Sequence, residues 1–274
     1  MNAIPPFSGR ATTAEVQAGS VHTGSVHDTL SAGIAATLDA VRVRRPRIHA
    51  ITSPVAQNFT ANGLLALGAI PSLTINAEEL EDFILSSDAV LLNLGMLDRD
   101  RFEALPLAAD IAAQADKPVV IDPVFADRSP RRRALARTLL AHAPAIVKLN
   151  ASEAEAFSRD IAPTTTAIIT GAVDRIQLDR QTVRLANGHA FMARVTATGC
   201  LLGAILAACR AVEADAFKAA IAGVSILNIA AEKAAEGAGG PGSFASRLVD
   251  ALAVLDATTI HRHLKAESYA HAAP

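Results

Sequence analysis

The chain is 274 residues long and carries 25 basic against 27 acidic side chains, a formal charge of −2. Its longest basic run is Arg131-Arg132-Arg133, too little for the electrostatic footprint of a nucleic-acid binder; that run is expected to cap or cover a helix. Hydrophobic residues make up 51%, yet they are Ala-rich and interrupted, short of the roughly 18 apolar residues in a row that a membrane span requires.

Such a length suits one large α/β domain or two small ones, and no linker divides it. Residues 1–25, with Pro5-Pro6 and then Gly, Ser, Thr and His, read as a flexible leader, and 261–274 as a flexible tail, leaving one domain over 26–260. Leu30, Ile34, Leu38 and Val41 recur at helical spacing until Arg45-Pro46 stops them. Residues 48–52 read as a buried strand, and 55–67 as a helix with Gly68 as its C-cap. On that helix Asn58 and Asn62 stand one turn apart and need partners, either neighbouring backbone or a ligand. Residues 71–75 are strand-like and 78–85 form a short acidic helix.

Alternation then sets in: strand 89–93, helix 99–115, strand 119–122, helix 131–142, strand 145–149. These strands are near-continuous apolar runs, as in a parallel sheet covered on both faces. Thr52, Asn93, Asp122 and Asn150 collect at strand C-termini, the edge where open α/β sheets bind ligands. Strand 167–171 follows, then a hairpin of 175–178 and 182–185, a turn at Asn187-Gly188, and helices over 201–212, 215–236 and beyond 239–244.

The stretch Arg194-Val195-Thr196-Ala197-Thr198-Gly199-Cys200 passes straight into the apolar helix pattern from Leu201 to Cys209. Backbone N–H groups at 197–200 then point out of a helix N-terminus, a site for a phosphate or for the charge of phosphoryl transfer, and Ala197 and Gly199 leave room for it. Cys200 lies at the first turn, where the helix field lowers a thiol pKa. The same residues also fit a plain cap and a small buried hydrophobe. Cys200 and Cys209, nine apart on one helix, are out of disulfide reach, which suits a reducing cytoplasm.

In order, the chain presents Asn58-Phe59-Thr60-Ala61-Asn62-Gly63-Leu64-Leu65-Ala66-Leu67-Gly68-Ala69, Leu92-Asn93-Leu94-Gly95, Asp122-Pro123-Val124, Asn150-Ala151-Ser152-Glu153, Ile169-Thr170-Gly171, Asn187-Gly188-His189, Thr198-Gly199-Cys200 and Gly240-Pro241-Gly242-Ser243-Phe244. This ordered set, over residues 30–257, resembles the hydroxyethylthiazole kinase family of thiamine salvage, within the ribokinase-like superfamily. The resemblance implies an α/β, ribokinase-like three-layer sandwich, with a mostly parallel central sheet and helices on both faces. It also implies ATP- and Mg²⁺-dependent phosphorylation of the primary alcohol of 4-methyl-5-(2-hydroxyethyl)thiazole by a trimer with sites between subunits, the helix at 55–67 supplying one wall.

Carried onto matching positions, Cys200 takes the catalytic-base place, with Thr198, Gly199 and the backbone at 197–200 as the anion hole. Lys148, where the family usually has Arg, would reach the nucleotide phosphates with Thr170, Gly171 and Asn150. Asp122 and Glu153, the latter in an N-x-x-E signature with Asn150, would hold Mg²⁺ directly or through water. Leu73, Ala197, Asn58 and Asn62 fall on the substrate side. Taken singly, Asp122 also fits an N-cap and Glu153 a first-turn dipole partner. Two other readings stand beside this one: a different ribokinase-like kinase or hydrate dehydratase, and a paralogue that binds thiazole or nucleotide without turnover.

Departures from the family pattern cluster on the substrate and nucleotide flanks. Ser53-Pro54 replaces an Asn pair, Leu73 a Met, Phe125 and Asp127 two loop glycines, and Ala197 the anion-hole glycine. Between Phe157 and Thr166 only a short link remains where the family has a loop and a crossover helix. Either the sheet is rearranged there or one of its faces is left bare.

Overall fold

A computed structural model describes residues 23–270, so the expected leader falls, up to residue 22, outside the described residues. The first half runs α1 (Thr23–Arg44), β1 (Arg47–Ile51), α2 (Gln57–Leu67), β2 (Ile70–Ser72), α3 (Leu80–Leu85), β3 (Ala89–Asn93), α4 (Arg99–Gln114), β4 (Val119–Asp122) and α5 (Pro130–Leu140). It continues with β5 (Ile146–Asn150), α6 (Ala151–Phe157), β6 (Thr166–Thr170), β7 (Asp174–Leu178), β8 (Gln181–Leu185), α7 (Thr198–Val212), α8 (Ala216–Ala235), α9 (Pro241–Val254), α10 (Ala257–His263) and β9 (Ala266–Ala270).

Over the described residues the strands form one sheet in the order β2-β1-β3-β4-β5-β6-β7-β8-β9, parallel from β2 to β6 and antiparallel beyond. Successive side chains of a strand face opposite layers. Ala89 and Leu91 therefore join Ile48, Val120 and Ile146 in the core beneath α1, α2, α7, α8 and α9, while Val90, Leu92, Ile121, Val147 and Leu149 enter a second core under α3, α4, α5 and α6. This is the α/β three-layer arrangement the sequence predicts.

Helix ends follow local chemistry. Gly68 closes α2 in the left-handed region (φ 109°), where a side chain would be strained. Asp98 and Ser129 cap α4 and α5 with their side-chain oxygens. The Arg131-Arg132-Arg133 run covers structure as expected: Arg131 lies 4.2 Å over the Phe102 ring, and Arg132 and Arg133 donate to carbonyls of the loops after β3 and β4.

Two expectations need correction. The tail read as flexible from residue 261 instead completes α10 and then adds β9 antiparallel to β8, from Leu185↔Ala266 to Gln181↔Ala270; an edge strand of this kind is set by its partner, with no local apolar pattern to announce it. The strand predicted over 71–75 is Ile70–Ser72. At the shortened crossover the sheet is not rearranged. β5 and β6 stay parallel neighbours from Ile146↔Thr166 to Asn150↔Thr170, joined by α6 and the link at 158–165, about the shortest connection parallel strands accept. The outer layer thins as a result, and Arg175 and Arg184, side by side in the β7–β8 register, are exposed on the face opposite α8.

His49 in β1 is wholly buried, with Nδ1 2.9 Å from Ser72 Oγ. Burial lowers its pKa to about 4, against a small opposing pull from the Thr74 backbone. A depressed folded pKa makes its stabilising effect complete above the free value near 6.5 and lost as pH falls toward 4. Unfolding free energy should drop by about 2–3 kcal/mol between pH 7 and pH 4.5 through this group. Urea titration of the parent and of His49→Gln at both pH values checks this, and an equal drop in the two proteins would refute it.

Candidate active site

Strand parity also selects the side chains that meet. Leu91, Val120 and Ile146 lie in the core beneath α7, so Asn93, Asp122 and Lys148, each two residues further along, face α7 at the carboxyl edge of the sheet. All three are buried. Asn93 Nδ2 donates to Asp122 Oδ2 at 2.7 Å and lies 3.5 Å from Cys200 Sγ, while its Oδ1 accepts from Gly95 N at 2.9 Å. Lys148 Nζ stands 3.1 Å from Asp122 Oδ1 as an ion pair. That oxygen has no hydrogen-bond partner.

Helix α7 begins against this cluster. Ala197 precedes it in the left-handed region (φ 79°), without a side-chain cap, which costs an L-residue about 1–2 kcal/mol. The first-turn amides carry the partial positive charge of the helix end. Gly199 is exposed among them, and a Cβ built there would sit 3.5 Å from Lys148 Nζ. Thr198 is engaged elsewhere, its hydroxyl donating to Met192 O at 2.8 Å, so only its backbone N–H faces the site.

Electrostatics reverse one expectation. The helix field was expected to lower the Cys200 thiol; instead burial, and then the Asp122 charge, push it above its usual value, with Thr52, Lys148 and Asn93 pulling the other way. Burial likewise raises Asp122 to about 6 despite the charge of Lys148. Lys148 is held above its ordinary value: burial works against its charge, but Asp122, Glu153 and Cys200 prevail.

Asn150 and Glu153 form a capping box at the start of α6, Asn150 Oδ1 accepting from Glu153 N and Glu153 Oε2 from Asn150 N, both at 2.9 Å. Glu153 Oε1 also accepts from Phe125 N at 2.9 Å. That bond fixes Phe125, where the resemblance expects glycine, in the left-handed region (φ 56°). Asp127, at the other missing glycine, accepts from Ser152 Oγ at 2.7 Å. The loop after Asp122 is therefore tied to α6, and Glu153 stands behind Asp122 with both oxygens committed to backbone.

Beside the cluster lies a cavity of about 630 Å³. Lys148, Thr170, Gly171 and Gly199 line it with polar groups and backbone, and Met192 and Leu227 with apolar side chains. Thr170 Oγ1 donates to Leu149 O at 3.1 Å and Gly171 N to Asp174 Oδ1 at 2.9 Å. Asp174 Oδ2 accepts from Asn228 Nδ2 at 2.7 Å, a buried pair at the back of the cavity.

Leu73, Asn58 and Asn62 are not brought to this cluster. Leu73 lines a separate depression of about 660 Å³ with Thr74, Asp100 and Leu107. Asn58 and Asn62 are exposed on α2 and bond to each other at 3.1 Å. Asp174 and Asn228 are not assigned to the site from sequence, and Asn93 is read there only as a polar residue at the ligand-binding edge. Strand parity was the available signal for Asn93, and for Asn228 it was one amide inside the apolar run Ile226-Leu227-Asn228-Ile229.

Comparison with known proteins points one way. A family model described as the hydroxyethylthiazole kinase family matches residues 38–162 and 159–258. A protein of Agrobacterium fabrum named probable hydroxyethylthiazole kinase is 41% identical over 237 residues, 86% of this chain and 96% of that protein. The solved structure of hydroxyethylthiazole kinase protein from Pyrococcus horikoshii OT3 superposes with a TM-score of 0.82 at 36% identity, over 86% of this chain and 98% of the other. A ribokinase-like superfamily protein of Enterococcus faecalis V583, 14% identical, shares the fold with a TM-score of 0.59 over 77% and 88%.

Proposed function

The chain belongs to the hydroxyethylthiazole kinase family, and from that premise we propose that it transfers the γ-phosphoryl group of ATP to the primary alcohol of 4-methyl-5-(2-hydroxyethyl)thiazole, with Mg²⁺, in thiamine salvage. The observation that carries this reading is the convergence of Asn93, Asp122, Lys148 and Cys200 on the N-terminus of α7 beside a cavity of about 630 Å³.

Phosphoryl transfer asks mainly for positioning and charge neutralisation. Lys148 and the first-turn amides of α7 neutralise the phosphate oxygens, and Gly199 lets them approach. The buried Oδ1 of Asp122, whose one partner is the Lys148 ammonium, is a hard oxygen suited to Mg²⁺, and the Glu153 charge is felt at Asp122. Bound there, Mg²⁺ would supply further positive charge to the phosphates. The Cys200 sulfur receives a hydrogen bond from the substrate hydroxyl. Burial holds the thiol above its ordinary value, so the base is the minor thiolate form, which takes the hydroxyl proton to give the thiol; little base help is needed when that proton departs late.

The same reading places the chain in the cytoplasm, which suits its two unpaired thiols. Among the described residues no helix is long and apolar enough to cross a membrane. It also proposes a trimer, in which exposed Val55, before α2, and Asn58, Asn62 and Leu65 on α2 form the subunit contact; a mass near 28.4 kDa by light scattering would refute it.

A coupled assay with ATP–Mg²⁺ and a panel of primary alcohols tests the activity. Transfer to hydroxyethylthiazole supports the reading. Transfer only to a pyrimidine-type alcohol points to a sister kinase, and binding of both ligands without transfer to a non-catalytic paralogue. Glu153→Gln should raise the Mg²⁺ concentration for half-maximal rate several-fold. It should also cost about 1–2 kcal/mol of stability, because an amide cannot accept at both Asn150 N and Phe125 N. Unchanged metal dependence in that variant would sink the assignment.

A further inference from the structure

Far from the cluster at α7, two histidines and a carboxylate meet where the first turns of α1 pack on α10. His27 Nδ1 lies 3.7 Å and His261 Nδ1 3.9 Å from Asp28 Oδ1. One donor atom from each residue falls within 4.8 Å of the others. We propose that His27, Asp28 and His261 bind a borderline divalent transition-metal ion of the Zn²⁺ type and thereby pin the first helix to the last.

Zn²⁺ holds nitrogen and oxygen donors at about 2.0–2.2 Å, so tetrahedral neighbours stand about 3.4 Å apart. The two measured edges exceed that by a few tenths of an ångström, which a small turn of exposed side chains closes. The rings are already poised for it, their centroids 5.1 Å apart and their planes at 76°. Ser31 Oγ lies 3.1 Å from His261 Nδ1, the same nitrogen that faces Asp28, so the hydroxyl gives up that contact when the ion binds. Side-chain exposures of 32%, 68% and 59% for His27, Asp28 and His261 leave the remaining coordination positions to water.

The donor set also separates this site from the one at Asp122. Two imidazoles and one carboxylate favour Zn²⁺, Ni²⁺ or Cu²⁺ over Mg²⁺, which prefers oxygen throughout. Cys200 is the competing soft ligand in the chain, and the test must distinguish the two.

Zn²⁺ is titrated calorimetrically into the full, tag-free chain under excess Mg²⁺, with His27→Ala, His261→Ala and Cys200→Ser alongside, and Co²⁺ absorption reports the donor type. The expected result is one equivalent bound by the parent and by Cys200→Ser, at least tenfold weaker binding in each histidine variant, and a Co²⁺ spectrum without thiolate charge transfer. A Zn²⁺-dependent rise in the unfolding temperature should vanish in both histidine variants. No binding by the parent, undiminished binding in the histidine variants, or loss of binding in Cys200→Ser would each overturn the proposal. The three side chains are partly solvent-exposed, so the variants fold, and circular dichroism verifies this.

Discussion

Cys200→Ala should lower turnover by about tenfold to a thousandfold while leaving nucleotide affinity nearly unchanged, the range expected when general-base help is lost. The affinity should be spared because, in the proposed site, Lys148 and the α7 amides, not the thiol, would meet the phosphates. Cys200→Asp should match or exceed the parent. An aspartate there inherits the burial and the Asp122 charge that push the thiol up, and the same two causes raise a carboxyl toward the range of an effective base at neutral pH. Cys209 is the control: it is fully buried in α7, its thiol pushed up to about 12, and a conservative change there should leave kinetics alone. Steady-state rates at saturating ATP check all three. Full turnover by Cys200→Ala would reduce the helix start to a cap.

Lys148→Met should lower stability by about 3–5 kcal/mol, the cost of removing one partner from a buried ion pair. Asp122 would remain 1% exposed, its Oδ1 facing an apolar side chain. The carboxyl would respond by taking up a proton, its pKa rising further above the about 6 it has beside the lysine. Removing the second charge as well should restore much of the loss, so Lys148→Met/Asp122→Asn should be more stable than Lys148→Met alone. Both proteins should be inactive and bind ATP–Mg²⁺ weakly. Urea unfolding beside nucleotide titration separates the two effects, and a Lys148→Met protein as stable as the parent would show that the pair contributes nothing to the fold.

Much of the architecture is legible locally. Strands 89–93, 119–122 and 145–149 announce themselves because burial on both faces leaves polar residues only toward their carboxyl ends, and the helices between carry caps such as Asp98 and Ser129. What escapes is structure defined by a distant partner. β9 exists because β8 offers it an edge, and α10 is a short segment without a long apolar stripe. The site divides in the same way. Asn93 and Asp122 are legible at strand ends, Cys200 at a helix start and Lys148 through the family resemblance, whereas Asp174 and Asn228 acquire meaning only through each other across the fold. Asn58 and Asn62 show the converse: their one-turn spacing points to a partner outside the pair, and the bond they make is to one another, from Asn62 Nδ2 to Asn58 Oδ1. The thiol's direction was misread because helix position is local, while the burial that overrides it is supplied by β1, β3 and β4.

The thinned layer beside β6–β8 has a mechanical consequence. Regions with fewer buried apolar contacts open locally at a fraction of the global unfolding cost. Asn93 and Asp122 sit in strands clamped between two helix layers, but Thr170 and Asp174 sit in strands braced chiefly by α8. The two halves of the cavity therefore differ in stiffness. In the proposed reaction the wall that carries Asn93 and Asp122 is the stiffer one and the wall with Thr170 and Asp174 the more compliant one, so the product would leave without movement of the stiffer half.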